Sequence, residues 1–417
     1  MNVTKKLFPA LSVLVLGGLV AACGTPGGAA TSGGAGGADA AGSTIKVALI
    51  PPSSGALAQF GSDAADAWQF AADEANAAGG VAGHKIELIK MDTDATAATT
   101  LRAAREAVTQ KGAKFIGAVM TSTEHGALDA QLAGLGALEF NGLGKDDALT
   151  GKDCKANAFR VVQSTSMDMN AVAEALAKLP GKKWAIQAVD YSTGHTSAKV
   201  FKEAAAKAGK QVVLEQYAPL NTTEFGSYIT KLQQSDADAL FAVEYGADGV
   251  AFVNQAAQFK LNEKFNTILG FNMVSEPLFK ALGDKVVGYY NNLGYDVSSD
   301  NPLNQKFVTD WAAKHGGSKP YYVVADNYLA AQTLFEGIKK ANSGDPIKVR
   351  DALNGLSFDS IVGKVTMRGA DHQLIRSSYL GQVVKDPNGI GGLGWKIVHE
   401  ADGSVTAPAP DPACKLS

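Results

Sequence analysis

Nowhere in this chain do lysine and arginine gather into a run. The 38 Lys and Arg are scattered among 41 Asp and Glu, for a formal net charge of −3. Nucleic-acid binding needs clustered cations to neutralise phosphates, so that class of partner is excluded. Charged residues reach only 19% against 46% hydrophobic, which is the balance of a globular chain and not of a disordered one. No Gly-Lys pair is followed by Ser or Thr and no G-x-S-x-G occurs, so neither a phosphate-binding loop nor a nucleophile elbow is present. The six histidines lack H-E-x-x-H or other close ligand spacing, which leaves a metal site unsupported and implies no cofactor. Beyond Leu19 no apolar run is long enough to cross a bilayer. Cysteine is scarce, with three in 417 residues, a length that accommodates two ordinary domains with full cores.

The first residues read as a processing segment. Lys5 and Lys6 precede the apolar stretch Leu7–Leu19, which is too short to span a membrane. Val20-Ala21-Ala22-Cys23 then resembles a bacterial lipobox, in which Cys23 is lipidated. The alternative is an ordinary secretory signal cut near Ala22. On the lipobox reading residues 1–22 are removed, and 23–43 form a lipidated Cys and a Gly/Ala/Ser/Thr tether that cannot bury a core. The protein is then expected on the extracytoplasmic face of the cell membrane, held there only by lipid. Cys154 and Cys414 would share an oxidising compartment, where they either form a disulfide tying the C-terminal tail to a loop or remain free thiols.

After the tether, strand and helix patterns alternate. Ile45–Ile50, His84–Met91 and Lys114–Val119 read as strands, separated by helical patterns through Ala64–Ala75 and Ala97–Val108. A second series begins near Phe159, with strands at Trp184–Val189, Gln211–Leu214, Ala239–Val243 and Thr267–Phe271. This alternation implies right-handed βαβ crossovers and parallel sheets, an α/β fold. Gly389–Gly394 formally fits G-x-G-x-x-G but opens no helix, and reads as a hairpin loop. The stretch Thr121-Ser122-Thr123 ends one strand and starts a helix, where free N–H groups collect and negative charge is favoured.

Together, Ile45–Gly61 (IKVALIPPSSGALAQFG), Asp73–Gly83 (DEANAAGGVAG), Thr121–Asp129 (TSTEHGALD), Asp190–His195 (DYSTGH) and Thr223–Phe241 resemble the periplasmic binding proteins of the leucine/isoleucine/valine type. That resemblance covers about Ile45 to His399. It implies a two-lobed type I fold, each lobe a mostly parallel sheet flanked by helices, with three interlobe crossovers. Residues 44–163 plus 293–370 would form one lobe, and 164–292 plus 371–417 the other. The implied activity is capture of a small solute in the interlobe cleft by a monomer that serves an ABC permease, with no catalysis. A ligand-sensing role beside a signalling partner is the alternative. A hydrolase is a weaker rival, resting on His125 three residues from Ser122.

The family also implies a set of ligand contacts. Thr121, followed by Ser122, occupies the position of a serine that holds the ligand carboxylate, although Thr at such a turn also serves as a helix cap. The next loop, Asn141–Lys145, would bring Leu143 and Gly144 to the ligand, with Gly142 and Gly144 allowing close backbone approach. Phe60 would cover the ligand from the first lobe, and Tyr191, Thr193 and Tyr245 would face it from the second. Core or hinge packing is the competing role for these aromatics. Asn272 falls where amino-acid binders carry the acid that pairs with the α-ammonium, and Glu244 is the other candidate for that acid. An ammonium buried without a carboxylate is costly. The expected ligand therefore bears a carboxylate or amide and a neutral aromatic or branched body.

Overall fold

A computed structural model describes residues 42–55, 57–190 and 192–416. Cys23, most of the tether and Tyr191 lie outside the described residues.

The first sheet contains β1 (Thr44–Leu49), β2 (Lys85–Lys90), β3 (Phe115–Gly117), β4 (Leu138–Asn141) and β5 (Ala158–Arg160), all parallel, in the order β2-β1-β3-β4-β5. Between the first four strands run α1 (Ala58–Ala77), α2 (Ala97–Thr109) and α3 (Ser122–Leu135). Phe159 therefore sits in the last strand of this sheet and does not open a second series. Strands buried on both faces are nearly all apolar, as β3 illustrates. Gly117 is the exception with a reason: a Cβ there would lie 2.3 Å from the Trp68 ring. Fully buried Trp68 in turn donates its indole N–H to Asn327 at 3.2 Å.

The second sheet repeats the same winding. β6 (Lys183–Val189), β7 (Gln211–Ala218), β8 (Ala239–Val243), β9 (Thr267–Gly270) and β10 (Tyr290–Leu293) run parallel in the order β7-β6-β8-β9-β10. Its helices include α4 (Thr165–Leu176), α5 (Ser192–Lys207), α6 (Gly226–Gln234) and α7 (Gly246–Gln258). A small antiparallel meander, β11 (Ser357–Ser360), β12 (Gly363–Met367) and β13 (Leu374–Ile375), follows the long helix Tyr322–Ala341. Finally β14 (Ser378–Lys385) and β15 (Leu393–Ala401) extend the second sheet antiparallel, with Gly389–Gly392 in the turn between them and Gly394 already paired in β15.

The chain thus passes between the two sheets at Gln163, Gly294 and Ser377, and one side chain gathers all three points. Gln163 Nε2 donates to the Gly294 carbonyl at 3.1 Å and to the Ser377 carbonyl at 2.8 Å. The third passage, at Ser377, follows β13, which pairs with β12. Beside it, buried Arg376 donates to Asp326 at 2.6 Å and to the Gly294 carbonyl at 2.5 Å. The disulfide between Cys154 and Cys414 is formed, with the Cα atoms 5.5 Å apart.

Candidate functional site

In open parallel sheets, ligands sit beyond the carboxyl ends of the strands. A cavity of about 310 Å³ occupies that position between the two sheets. Leu57 and Phe60 reach it after β1, Met120 and Thr121 after β3, and Leu143 and Lys145 after β4. The second sheet supplies Asn272, Val274, Ser275 and Glu276 after β9, and the stretch from Asn291 to Tyr295 along β10 and beyond. Tyr322 and Val323, opening the long helix, complete the wall. The cavity is apolar and aromatic, with a few convergent polar groups, which is the usual character of a small-molecule site.

Each loop is held by its own hydrogen bonds. Asn141 Oδ1 accepts from the N–H groups of Leu143 and Gly144 at 3.0 and 2.7 Å, and Asn141 Nδ2 donates to the Gly144 carbonyl. This closes the loop and carries Lys145 to the cavity, where its ammonium meets buried Asp168 of α4 at 2.7 Å. Across the cleft, Asn291 Oδ1 accepts from the N–H groups of Met273 and Val274, both at 3.2 Å. Asn292 binds Asn272 twice, accepting from its N–H at 2.8 Å and donating to its Oδ1 at 2.9 Å. Asn272 adopts φ +51°, a left-handed conformation that asparagine tolerates well. Burial pushes the Glu276 carboxyl up to about 7.

Residues 44–388 match the family model described as periplasmic binding protein. The chain belongs to that family. This periplasmic binding protein is 27% identical over 363 residues to a Leu/Ile/Val-binding protein homolog of Brucella abortus, covering 82% of this chain and 88% of the relative. Its fold is similar to that of an amino acid ABC transporter substrate-binding protein from Pseudomonas fluorescens, with a TM-score of 0.79, 25% identity, and 88% and 99% of the two chains covered. A Rhodopseudomonas palustris solute-binding protein solved with 4-hydroxybenzoate gives a TM-score of 0.75 at 23% identity, covering 86% and 97%. A periplasmic binding protein binds a small solute outside the cytoplasmic membrane and delivers it to an ABC permease, and it is not an enzyme. Among the described residues no helix is long and apolar enough to cross a membrane.

The periplasmic binding protein places the expected contacts unevenly. Phe60, Thr121, Leu143 and Asn272 line the cavity. Thr121 is nevertheless committed as a cap: its O–H and N–H both go to Glu124 Oε2, at 2.8 and 2.9 Å, and its oxygen accepts from the Glu124 N–H. Ser122 does not line the cavity, and its hydroxyl accepts from the Asp146 N–H at 3.1 Å. Gly144 is also absent from the wall. A Cβ on it would stand 2.4 Å from the His125 ring, so the glycine makes room for protein and not for ligand. Gly142 likewise faces Asn327 and Asp326. Thr193 lies in α5 away from the cavity, and Tyr245 packs against the core of the second sheet. Buried Glu244 binds Gln187 at 2.8 Å and lies outside the wall. His125 turns from Ser122 to buried Glu139, at 2.8 Å, so the pair behind the hydrolase reading is not assembled.

Sequence reasoning missed Lys145, Glu276, Asn291 and Asn292. Lys145 carried a readable signal, since it is the one cation in the segment Asn141–Lys145 that follows the strand. Glu276 carried little, lying four residues beyond Asn272 on a turn whose path no local pattern specifies.

Proposed function

We propose that this chain is the lipid-anchored substrate-binding protein of an ABC importer, acting as a monomer. Its solute is small, carries a carboxylate or amide, and has an aromatic or branched apolar body. The observation that carries this reading is the cavity wall, in which Leu57, Phe60, Leu143, Val274 and Tyr322 surround Lys145, the one cation lining it among the described residues. With Thr121 spent on Glu124, Lys145 takes the anion-side role: one ammonium proton holds Asp168 and the others remain for a carboxylate or amide oxygen. The amide of Asn272 is the adjoining polar contact. The names of the similar proteins, with ligands that range from branched amino acids to 4-hydroxybenzoate, support this class.

Glu276 changes one part of the argument. It supplies to the same cavity the carboxyl that the Asn272 position lacks, so ammonium-bearing solutes belong in the test. Calorimetric titration should compare benzoate, 4-hydroxybenzoate, a short amide, urea and leucine. An aromatic acid or amide is expected to bind more tightly than leucine, and the reverse order overturns the ligand class. The pH dependence gives a second readout, because Glu276 gains its charge as pH rises through about 7. An anionic solute then faces a second negative charge, and its affinity should fall by up to about tenfold, one pKa unit of coupling. Glu276→Gln should flatten that profile. Affinity that rises with pH identifies a cationic group on the solute. Glu244, whose carboxyl burial also pushes up to about 7, stays unchanged in this variant and reports the background.

The lipid anchor rests on the Val20–Cys23 sequence. In a native host, Cys23→Ser is expected to abolish labelling by a radioactive fatty acid and release the protein from membranes. Persistent membrane association of that variant would count against the anchor.

A further inference from the structure

After β15 the chain runs back over the gap between the two lobes. Asp402 caps the short helix Gly403–Thr406, and Gly403 presses onto the backbone of Arg376, where a Cβ would stand 2.2 Å from the carbonyl oxygen. Arg376 adjoins the third crossover. The helix is held to the second lobe by Asn170 of α4, whose Nδ2 donates to the Thr406 carbonyl at 2.7 Å. Two residues on, the partner changes lobe: Arg368, at the end of β12, donates to the Pro408 carbonyl at 2.8 Å. Asp411 lies against Gly151 of the first lobe, with its Oδ2 3.1 Å from where a Cβ would be. Cys414 is then bonded to buried Cys154, between β4 and β5. A small cavity of about 200 Å³ beneath this segment is lined by Arg160 and Arg368 from one lobe, Met167 from the other, and Pro408 and Asp411 from the segment itself.

We propose that residues 402–414 are a fourth, covalent crossing between the lobes, which limits how far the hinge opens. A hinge works because a few residues at the crossovers absorb changes in φ and ψ. The three main-chain crossings at Gln163, Gly294 and Ser377 share one hydrogen-bonded knot and can rotate about it. The strap starts beside that knot, where Gly403 rests on Arg376, and is then held on α4 and, at its far end, on Cys154, where the disulfide prevents it from peeling off the first lobe. Opening that separates α4 from the Cys154 loop must stretch it. Restricting the open states leaves a larger share of molecules near the closed geometry, and apparent affinity scales with that share.

The test needs no ligand. Small-angle X-ray scattering should compare the oxidised chain, the same chain reduced with a phosphine, and the Cys154→Ser/Cys414→Ser variant. The reduced chain keeps the test open if the variant fails to fold. The radius of gyration, roughly 21 Å for a compact chain of this size, is expected to rise on the order of 1 Å on reduction. Hydrogen exchange at the three crossovers should quicken several-fold in the same samples. An unchanged radius and unchanged exchange at the crossovers overturn the proposal, even if the reduced protein melts at a lower temperature. In that case the bond only fastens the tail.

Discussion

Asp326→Ala is expected to cost about 3–5 kcal/mol of stability, a large part of what a folded domain has to lose. Asp326 and Arg376 are both buried, and the carboxylate is the only acidic partner of that guanidinium among the described hydrogen bonds. Removing the acid strands a positive charge beside the crossovers. The same pair is a poor stabiliser in itself. Burial outweighs the attraction of Arg376 and raises the Asp326 carboxyl above its usual range. Asp326→Ala combined with Arg376→Met should therefore cost less than Asp326→Ala alone. Urea denaturation of the three proteins measures this, and a double variant less stable than the single one would refute the account. The pair's value is positional: through the Gly294 carbonyl, Arg376 joins the second crossover to the third.

That knot also marks where sequence reasoning runs out. The α/β alternation was legible because each lobe repeats a physical pattern. Ala239–Val243 is an unbroken apolar run, as a strand buried on both faces must be, and Gly136 and Gly209 punctuate helix ends. β4, β5 and the meander β11–β13 were harder, because each is only two to five residues long, too short for a pattern to declare itself. The contacts of Gln163 span 131 and 214 residues, a range over which no periodicity carries information.

The candidate site divides in the same way. Strand ends located its loops, so Thr121, Leu143 and Asn272 fall in the wall. What each side chain does there depends on its neighbours. Thr121 has its capping partner three residues away, a local S/T-x-x-E pattern that was visible and competes directly with a ligand role. Gly144 looked like a point of close approach to ligand, and its neighbour is His125, nineteen residues earlier in sequence, delivered by α3. Lys145 gains its significance from Asp168, which arrives only after the first crossover.

Asn291→Ala should damage both stability and binding, and it tests whether the loop after β9 must be held in place to bind solute. The Asn291 side chain reaches over β9 because residue 270 is glycine. A Cβ at Gly270 would lie 2.8 Å from Asn291 Oδ1. That oxygen is the acceptor for two backbone N–H groups, Met273 and Val274, and Asn291 Nδ2 donates to the Asn292 carbonyl at 2.7 Å. Alanine leaves these buried groups without a partner, at about 1–3 kcal/mol each. Relaxation of the loop would recover part of that cost, giving a net loss of about 2–4 kcal/mol on the same basis. Relaxing the loop moves Asn272, Val274 and Glu276 away from their positions in the wall, so affinity for the tightest solute of the calorimetric panel should drop at least about tenfold, equivalent to about 1.4 kcal/mol. Asn291→Asp keeps the one oxygen that accepts both N–H groups but sets a second carboxylate oxygen against the Asn292 carbonyl in place of the donor, so it should recover part of the loss in affinity. Wild-type affinity in the alanine variant would mean that the loop after β9 is not part of the solute site. Equal losses in the two variants would mean that the amide donor to Asn292, and not the pair of N–H bonds, holds the loop.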